Sequence, residues 1–500
     1  MNLFDNLALG FQVALLPVNL FYCFVGVTVG TLVGVLPGIG PLVTIAVLLP
    51  LTFGLAPESA LIMLAGIYYG AMYGGSTTSI LLNLPGEPAN VVTCMDGYQM
   101  ARQGKAGPAL AISAIGSFVA GCIATVFIAL FAPPLTDFAL EFRAPEYFSL
   151  MVAALASTAM MVQGSTLKGV LMVLVGLLFG LVGLDVNSGV PRYTFGLPGL
   201  SDGINFVVVA MGLYGIAELI RNLEPDALDH RPMAVVGKLM PSKDELRTSV
   251  APILRGTAVG SFLGILPGAG TSIGAFAAYM MEKRVSRTPW RFGNGAIEGV
   301  ASPEAANNAA AQTSFIPTLT LGVPAGPIMA LMLGALIIQG LTPGPGIVTD
   351  HPRLFWGLVV SMWVGNLMLM LLNLPLIGLW VKLLEVPYRW LYPAIVVFAC
   401  IGTYSLSNST LDLYLTVMFG LFGYVCLKLD CEIAPFIMGF ILAAPLEENL
   451  RRAMLISRGD PMVFVTRPIS LVFLTLAALL LLSMILPGRR AWRERAADPQ

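Results

Sequence analysis

Two nearly identical Gly- and Pro-containing phrases are the residues of this chain best suited to ligand chemistry. They read Gly34-Val-Leu-Pro-Gly-Ile-Gly40 and Gly264-Ile-Leu-Pro-Gly-Ala-Gly270, 230 positions apart, and each lies in a long apolar stretch. Proline has no N–H and glycine tolerates unusual backbone angles, so each phrase is expected to interrupt a helix and free backbone polar groups. In apolar surroundings such groups must line a cavity inside the protein.

Hydroxyl-rich segments follow each phrase and add side-chain donors and acceptors. The first covers 69–79 and precedes Leu84-Pro-Gly86, and the second covers 307–314 and precedes Gly322-Val-Pro324. We match Thr78-Ser79 with Thr313-Ser314 and expect both segments to be irregular. Helix N-termini bind anions without basic side chains, whereas helix C-termini and unwound carbonyls suit Na⁺. Predicted anion ligands are Pro37, Gly38, Gly40, Ser76, Thr77, Thr78, Pro267, Gly268, Gly270, Thr313 and Ser314. Predicted Na⁺ ligands lie near Ser79, Asn83, Asn307, Asn308, Thr318 and Thr320. The alternative is that these small residues only mediate close helix packing.

Two acidic residues border these segments. Glu87 follows the first Pro-Gly break, and helical spacing places Glu304 on one face with Asn307 and Asn308. An acidic group beside a membrane cavity suits a cation or proton site, and the alternative is a helix-start carboxylate stabilised by the helix dipole. Both segments read Glu-x-Ala-Asn, but they fall at non-equivalent places, so we interpret the match as coincidence.

The elements that position these residues are predicted to be membrane helices. The chain is 57% hydrophobic and 11% charged, with a mean hydropathy of +0.83, whereas soluble domains carry about 25% charged residues. Because a spanning helix needs about 20 apolar residues, the charge-free stretches predict an all-α polytopic membrane protein with about 10 to 12 transmembrane helices. These stretches are 6–57, 59–86, 256–281, 305–349, 354–381, 391–411 and 468–488.

The duplicated phrases divide the chain into two predicted structural repeats with broken or re-entrant helices. The first repeat covers 1–220, a hydrophilic cytoplasmic linker covers 221–254, the second repeat covers 255–488, and a basic cytoplasmic tail covers 489–500. Within the linker, Ser242-Lys-Asp-Glu245 predicts a capping box that starts a short surface helix. Lys and Arg residues in two short loops, near 102–105 and 283–291, place those loops on the cytoplasmic side as well.

Composition also excludes several classes of protein. The net charge of −1 gives no electrostatic basis for nucleic-acid binding. The only histidines, His230 and His351, lie in polar loops, and the apolar segments contain no His, Cys or paired-Asp constellation for catalysis. The chain is therefore not expected to be an enzyme. A duplicated break in mid-membrane is typical of secondary transporters built from two repeats, whose binding site lies between them.

Four segments together resemble the large membrane subunit of tripartite tricarboxylate transporters, the TctA family. They are 34–40, 69–88 with Asp96-Gly-Tyr98, Ser302-Pro-Glu-Ala-Ala-Asn-Asn308, and 319–324. The resemblance covers nearly the whole chain. It departs at Thr77-Thr-Ser79 after Gly74-Gly75, and at Ala311-Gln312, where relatives often carry Gly-Gly.

The resemblance implies a multi-pass protein of the bacterial inner membrane that imports small carboxylates, with the transport driven by a Na⁺ gradient. The cargo would be a tricarboxylate such as citrate, a dicarboxylate or an aromatic carboxylate. Its implied partners are a small four-span subunit of the TctB type and a periplasmic solute-binding protein of the TctC type, and Na⁺ is the implied coupling ion. A passive anion channel and a membrane scaffold without transport are the alternative functions.

Overall fold

The computed structural model describes most of the chain and is mostly helical. The described residues are 2–36, 40–160, 162, 165–185, 188–222, 236–266, 270–384, 393, 396–397, 400–401, 403–404 and 408–485. The helices are α1 Leu3–Ala14, α2 Pro17–Val35, α3 Pro41–Leu48, α4 Pro57–Leu82, α5 Val91–Met100, α6 Ala106–Leu140, α7 Ala144–Met160, α8 Thr166–Gly180, α9 Phe206–Ala210, α10 Ala217–Asn222, α11 Lys243–Ile265, α12 Gly270–Val285, α13 Glu298–Thr313, α14 Phe315–Thr320, α15 Pro327–Ile338, α16 Gly346–Asp350, α17 Pro352–Asn373, α18 Ile377–Leu383, α19 Thr410–Lys428, α20 Ala434–Ile456, α21 Val463–Thr466 and α22 Pro468–Ile485. A two-stranded antiparallel ribbon, β1 Gly183–Leu184 and β2 Pro191–Arg192, interrupts the helices.

Several helices are long and apolar enough to cross a bilayer. Among the described residues there are four such stretches: Pro17–Val35, Pro88–Leu140, Pro352–Asn373 and Thr410–Lys428. Shorter apolar helices include Pro41–Thr52 and Pro327–Ile338. The eight residues of α3 extend about 12 Å, far less than the hydrocarbon core of about 30 Å, so this helix does not span the bilayer by itself. The all-helical membrane class is thus supported, and the count of 10 to 12 spans stays a prediction.

The chain forms two compact units. Unit 1 contains Met1–Ala139 and Asn205–Tyr424, and unit 2 contains Leu140–Ile204 and Val425–Gln500. Of the first predicted repeat, 1–139 and 205–220 belong to unit 1 and 140–204 to unit 2. Of the second, 255–424 belongs to unit 1 and 425–488 to unit 2. The boundaries of the repeats themselves stay a prediction.

Two helix pairs in unit 1 pack backbone against backbone. At three positions of α2 a Cβ would overlap a carbonyl oxygen of α4, and at three positions of α11 it would overlap one of α13. The first set is Gly26, Gly30 and Gly34 against Met63, Ile67 and Ala71, and the second is Gly256, Gly260 and Gly264 against Ser302, Ala306 and Ala310. The glycines are 230 positions apart and their partners 239, so both pairs use one register. Only glycine allows such close contact, which makes these residues packing residues.

The offset of 239 continues beyond these helices and corrects the alignment expected from the sequence. Asn83 and Gly322, 239 positions apart, both have left-handed backbone angles, with φ of 57° and 68°. Pro85 and Pro324 follow at the same spacing. By this register Gly74-Gly75, and not Thr78-Ser79, correspond to Thr313-Ser314. The prediction was wrong because the stretch from the second Pro-Gly phrase to the matching position in α13, which includes the longer helix α12, has nine residues more than the stretch from the first phrase to that position in α4.

The helices that follow these left-handed residues pack on the opposite helix pair. Helix α5 packs against α12 and α13, and α15 packs against α3 and α4. Each half of the chain thus supplies a helix that covers the other half. This exchange brings residues from distant parts of the sequence together in unit 1.

The expected irregular segment at 69–79 is instead continuous helix. Helix α4 extends unbroken to Leu82, because Gly66, Gly70 and Gly74 contact the backbone of α2 and their lack of a side chain serves packing. The corresponding segment of the second half does bend: α13 ends at Thr313 and the six-residue α14 follows, with Pro317 inside it.

Helix α11 begins where the sequence predicts, but it is not a short surface helix. Ser242 Oγ accepts the Glu245 N–H at 3.2 Å and Glu245 Oε2 accepts the Ser242 N–H at 2.9 Å, which confirms the capping box. The helix then continues to Ile265. The Ser242 N–H and, next, the Lys105 side chain lower the pKa of Glu245 because both stabilise its ionised form. Residues 223–235 of the linker and the basic tail lie outside the described residues.

The predicted cytoplasmic loops lie close together. Lys105 Nζ pairs with Glu245 Oε1 at 3.0 Å, and Gln103 Nε2 donates to the Asn294 carbonyl at 2.9 Å. The loop near 102–105 therefore contacts both the start of α11 and the loop that precedes α13. Their assignment to the cytoplasmic side stays a prediction.

Unit 2 is held together by α20, which packs against α7 and α8, and by ion pairs. Arg192 bonds both carboxylate oxygens of Glu447 at 2.9 and 3.0 Å. Arg451 bonds Asp185 at 2.8 Å and Glu447 at 2.6 Å. This network fixes the β-ribbon to α20.

Candidate functional site

Glu304 is the centre of the most extensive polar cluster that the structure describes in unit 1. It lies on α13 and is 0% exposed. Ser76 of α4 donates to its Oε2 at 2.5 Å, and Ser113 of α6 donates to the same oxygen at 3.2 Å. Its Oε1 accepts hydrogen bonds from Thr93 and, at 3.2 Å, from Asn90. All four partners are groups that can donate, and hydrogen bonds of this kind stabilise the ionised form of a carboxylate.

The two Glu-x-Ala-Asn segments contact each other reciprocally. Asn90 of the first segment donates to Glu304 of the second, and Asn307 of the second donates to Glu87 of the first at 3.1 Å. The interpretation of the match as coincidence is therefore wrong. The segments do occupy non-equivalent places by sequence, but the exchange of α5 onto α13 places them side by side. The repeated tetrapeptide was the signal in the sequence.

Neither carboxylate has a basic neighbour within the described residues. Several arginines there pair with other acids, such as Arg255 with Glu282 at 2.6 Å, and no ion pair among those residues includes Glu87 or Glu304. Transfer of an isolated charge from water into a protein interior is very unfavourable unless a proton or a cation compensates it. The cluster is thus suited to hold a proton or a small cation.

Asp96 positions the helix that carries Glu304. It is fully buried on α5, and its Oδ1 accepts the N–H groups of Gly293, Gly295 and Ala296 at 2.8 to 2.9 Å. Its Oδ2 accepts the Tyr279 hydroxyl at 2.9 Å. These bonds fix the loop immediately before α13. Since Thr93 lies one turn earlier on α5, the same helix both anchors α13 and contacts its carboxylate.

A small cavity adjoins Glu304. Its volume is about 10 Å³, and it is lined by Tyr73, Ser76, Thr77, Leu110, Ser113, Ala114, Leu239, Asn373, Leu374 and Ile377. Two of the lining residues carry an oxygen that is buried without a hydrogen-bond partner, the Tyr73 hydroxyl and Asn373 Oδ1. A volume of about one water-sized sphere holds a water molecule or a monatomic ion, whereas small-molecule pockets usually exceed 300 Å³.

The predicted anion ligands fall into three groups. Pro37, Gly38, Pro267 and Gly268 lie outside the described residues. Gly40 is the N-cap of α3, next to the Gly86 carbonyl, and Gly270 begins α12 with a φ of +60° and open space around it. Ser76 and Thr77 line the cavity. The hydroxyls of Thr78, Thr313 and Ser314 donate to carbonyls of their own helices at 2.6 to 3.0 Å.

The predicted Na⁺ ligands are likewise divided. Asn307 and Asn308 belong to the cluster, with Asn308 donating to Ser117 at 2.7 Å and to the Glu304 carbonyl at 3.1 Å. Asn83 ends α4 in a left-handed conformation. The hydroxyls of Ser79, Thr318 and Thr320 donate to carbonyls of their own helices at 2.8 to 2.9 Å. Whether any of these residues binds an ion stays a prediction.

Sequence reasoning missed Asn90, Thr93 and Ser113. A usable signal was Ser113 with Ser117, one turn apart in the apolar α6, because buried hydroxyls in such helices need partners.

A second uncharged cluster was also missed. Thr125 donates to Gln312 Oε1 at 2.6 Å, while the Gln312 amide nitrogen and both polar atoms of Asn366 are buried without a partner in the structure.

The fold and the buried carboxylate cluster define a polytopic helical membrane protein with a polar site in its interior. The chain matches the tripartite tricarboxylate transporter TctA family over residues 20–438 and belongs to that family. The resemblance drawn from its motifs is thereby confirmed. This is a family of transporters and not of enzymes. Membership implies a tripartite system with TctB- and TctC-type partners.

Two relatives from Agrobacterium vitis are similar to much of the chain. One, an "uncharacterized 52.8 kDa protein in TAR-I ttuC' 3'region", is 55% identical over 495 residues, which are 99% of each chain. The other, an "uncharacterized protein in TAR-II ttuC' 3'region", is 57% identical over 236 residues, which are 47% of this chain and 98% of the relative. No solved structure matches the chain.

Proposed function

We propose that this chain is the large permease subunit of a binding-protein-dependent secondary transporter that imports small carboxylates by Na⁺ symport. One observation carries the proposal: two buried carboxylates, each bonded to an asparagine from the other half of the chain, have no basic partner among the described residues. A cation that compensates such charge also bonds the two halves together. Binding of the ion is then linked to the relative position of the halves, which is the requirement for coupling.

The architecture in this proposal is a pair of repeats that move against each other. Three features support it: the common register of α2 on α4 and α11 on α13, the left-handed residues Asn83 and Gly322, and the exchange of α5 and α15 between the helix pairs. Alternating access by motion of one repeat against the other is the usual mechanism of such folds. The protein would cross the membrane 10 to 12 times.

The cargo would bind at the two Pro-Gly phrases, because these are the places where new helices begin. The first turn of α3 after Gly40 and that of α12 after Gly270 present backbone N–H groups and the positive end of the helix dipole. An anionic carboxylate is stabilised there without Lys or Arg.

Its place in the cell follows from the family. We propose a location in the bacterial inner membrane, where a periplasmic TctC-type protein delivers the cargo and a four-span TctB-type subunit completes the membrane complex. The cargo would be a tricarboxylate such as citrate, a dicarboxylate or an aromatic carboxylate.

Uptake into proteoliposomes tests this proposal. The complete three-component system is reconstituted, radiolabelled carboxylates are supplied with the binding protein, and an inward Na⁺ gradient is imposed or replaced by choline. We expect accumulation above the external concentration only with the Na⁺ gradient. Equilibration without accumulation would instead identify a passive anion channel. Absence of uptake of every carboxylate, from a complex that assembles, would favour a scaffold and refute the proposal.

A further inference from the structure

Two serines that line the cavity beside Glu304 are also hydrogen-bonded to its carboxylate. Ser76 and Ser113 line the cavity and both donate their protons to Glu304 Oε2, at 2.5 and 3.2 Å. A hydroxyl has one proton and two lone pairs. With their protons on the carboxylate, both serines keep lone pairs that are available for a cation.

Two other residues of the same cavity lining each carry a buried side-chain oxygen without a hydrogen-bond partner. The Tyr73 hydroxyl belongs to a residue that is 4% exposed, and Asn373 Oδ1 to one that is 5% exposed. A buried polar atom without a partner usually loses about 1–3 kcal/mol, so an unoccupied cavity would be unfavourable for both. A bound ion or water would satisfy them together with the serines.

Size and charge select among the possible occupants. A volume of about 10 Å³ excludes a carboxylate cargo, which would also be repelled by Glu304. One carboxylate behind neutral oxygens matches a single positive charge, whereas Ca²⁺ sites usually use several carboxylates among six to eight oxygens. Hard oxygen ligands suit an alkali-metal cation.

We propose that a Na⁺ ion binds in this cavity, coordinated by Ser76, Ser113, Tyr73 and Asn373, with Glu304 behind the serines as its counter-charge. Glu304 thereby fixes the orientation of the coordinating hydroxyls, as outer-shell groups do at other metal sites. This site would hold the coupling ion of the transporter and in that respect rests on the proposed function. It differs from the predicted set at Ser79, Asn83, Thr318 and Thr320.

Ion binding to the full-length subunit in lipid nanodiscs tests the site without cargo or partner proteins. Na⁺ affinity is measured by ²²Na⁺ scintillation proximity and by the shift of thermal unfolding with NaCl against choline chloride, since a ligand of the folded state raises its stability. We expect saturable binding by the wild type. Ser113→Ala and Tyr73→Phe should each weaken it about tenfold through the loss of one ligand, and Glu304→Gln should abolish it.

A matched control distinguishes the site from a general effect on packing. Ser149→Ala in unit 2 also removes a buried hydroxyl, one that contacts Ser470 at 2.6 Å, and it should leave Na⁺ affinity unchanged. Tyr73→Phe keeps the ring, so that the fold is retained even if Glu304→Gln does not assemble. Wild-type affinity in Ser113→Ala and Tyr73→Phe would overturn the site. So would a wild type that responds to pH but not to Na⁺.

The measurement of Na⁺ binding is independent of the transport assay. If Na⁺-driven uptake is observed and these variants bind Na⁺ normally, the proposed function stands and this site is wrong. If Na⁺ binds here but no carboxylate accumulates, the site stands and the proposed function is wrong.

Discussion

Exchanging the acid and the amide between Asn90 and Glu304 tests the reciprocal contact directly. Asn90→Asp replaces the amide nitrogen, 3.2 Å from Glu304 Oε1, with a carboxylate oxygen of the same size. Two charges at this distance repel by about 5 kcal/mol at an effective dielectric constant of about 20. The pair avoids the full repulsion by retaining one proton. Since a free carboxyl ionises near pH 4, retaining that proton at pH 7 costs about 4 kcal/mol.

The sign of the pH dependence follows from proton binding. The folded Asn90→Asp variant binds a proton that the unfolded chain releases above about pH 4, so its free energy of unfolding falls as the pH rises. We expect a slope of about −1.4 kcal/mol per pH unit between pH 5 and 7 relative to wild type. Chemical or thermal unfolding in detergent or nanodiscs at several pH values measures this slope.

The double variant Asn90→Asp with Glu304→Gln restores one acid and one amide in contact. It should regain most of the lost stability and lose the added pH slope. It should not regain Na⁺-driven uptake, because the charge then no longer faces Ser76 and Ser113. The control is Asn205→Asp at the N-cap of α9, where aspartate caps as well as asparagine. Wild-type stability of Asn90→Asp at pH 7, or a double variant as unstable as the single one, would refute the reasoning.

Three further substitutions test the packing and the positioning of the site. Gly260→Ala places a methyl group on a carbonyl oxygen of the facing helix, so it should prevent normal assembly and remove the monodisperse peak in size-exclusion chromatography. The control Gly378→Ala places its methyl group where no atom lies within 4 Å, so this variant should keep the monodisperse peak. Asp96→Ala removes the acceptor of four buried hydrogen bonds and should lower the free energy of unfolding by at least about 3 kcal/mol, and a loss under 1 kcal/mol would contradict its anchoring role. Gly121→Ala introduces a Cβ 2.5 Å from the amide nitrogen of Asn366 and 2.7 Å from the amide nitrogen of Gln312. This crowding should lower the free energy of unfolding by about 1–3 kcal/mol in the same assay. An unchanged free energy of unfolding would show that these amides move freely.

Local sequence patterns gave the helical membrane class and the places where helices end. The Pro-Gly phrases, the capping box at Ser242 and the break after Asn83 are determined by residues within a few positions of each other. The same local reasoning failed for 69–79, where the glycines serve contact with a distant helix. A glycine that breaks a helix and one that packs against another helix look alike until the partner is known.

The candidate site was harder to predict because its contacts join distant residues. Asn90 and Glu304 are adjacent only because α5 packs on α13, and no spacing rule encodes that exchange. The nine additional residues before α13 also concealed the common register. When the two halves are aligned with a gap for these nine residues, Asn83 pairs with Gly322. The contact between the similar tetrapeptides at Glu87 and Glu304 can still be recognised only from the fold.

Because both helix pairs use one register, the residues at equivalent positions of α4 and α13 can be compared. The position 239 residues before Glu304 is Ala65, which is fully buried in α4, and the positions matching Asn307 and Asn308 are Tyr68 and Tyr69. The first half also supplies a buried acid, Glu87, but on the segment that follows α4 and not on the helix itself. Equivalent positions of the two helices therefore differ in chemistry: α13 carries an acid and two amides, whereas α4 carries an alanine and two tyrosines.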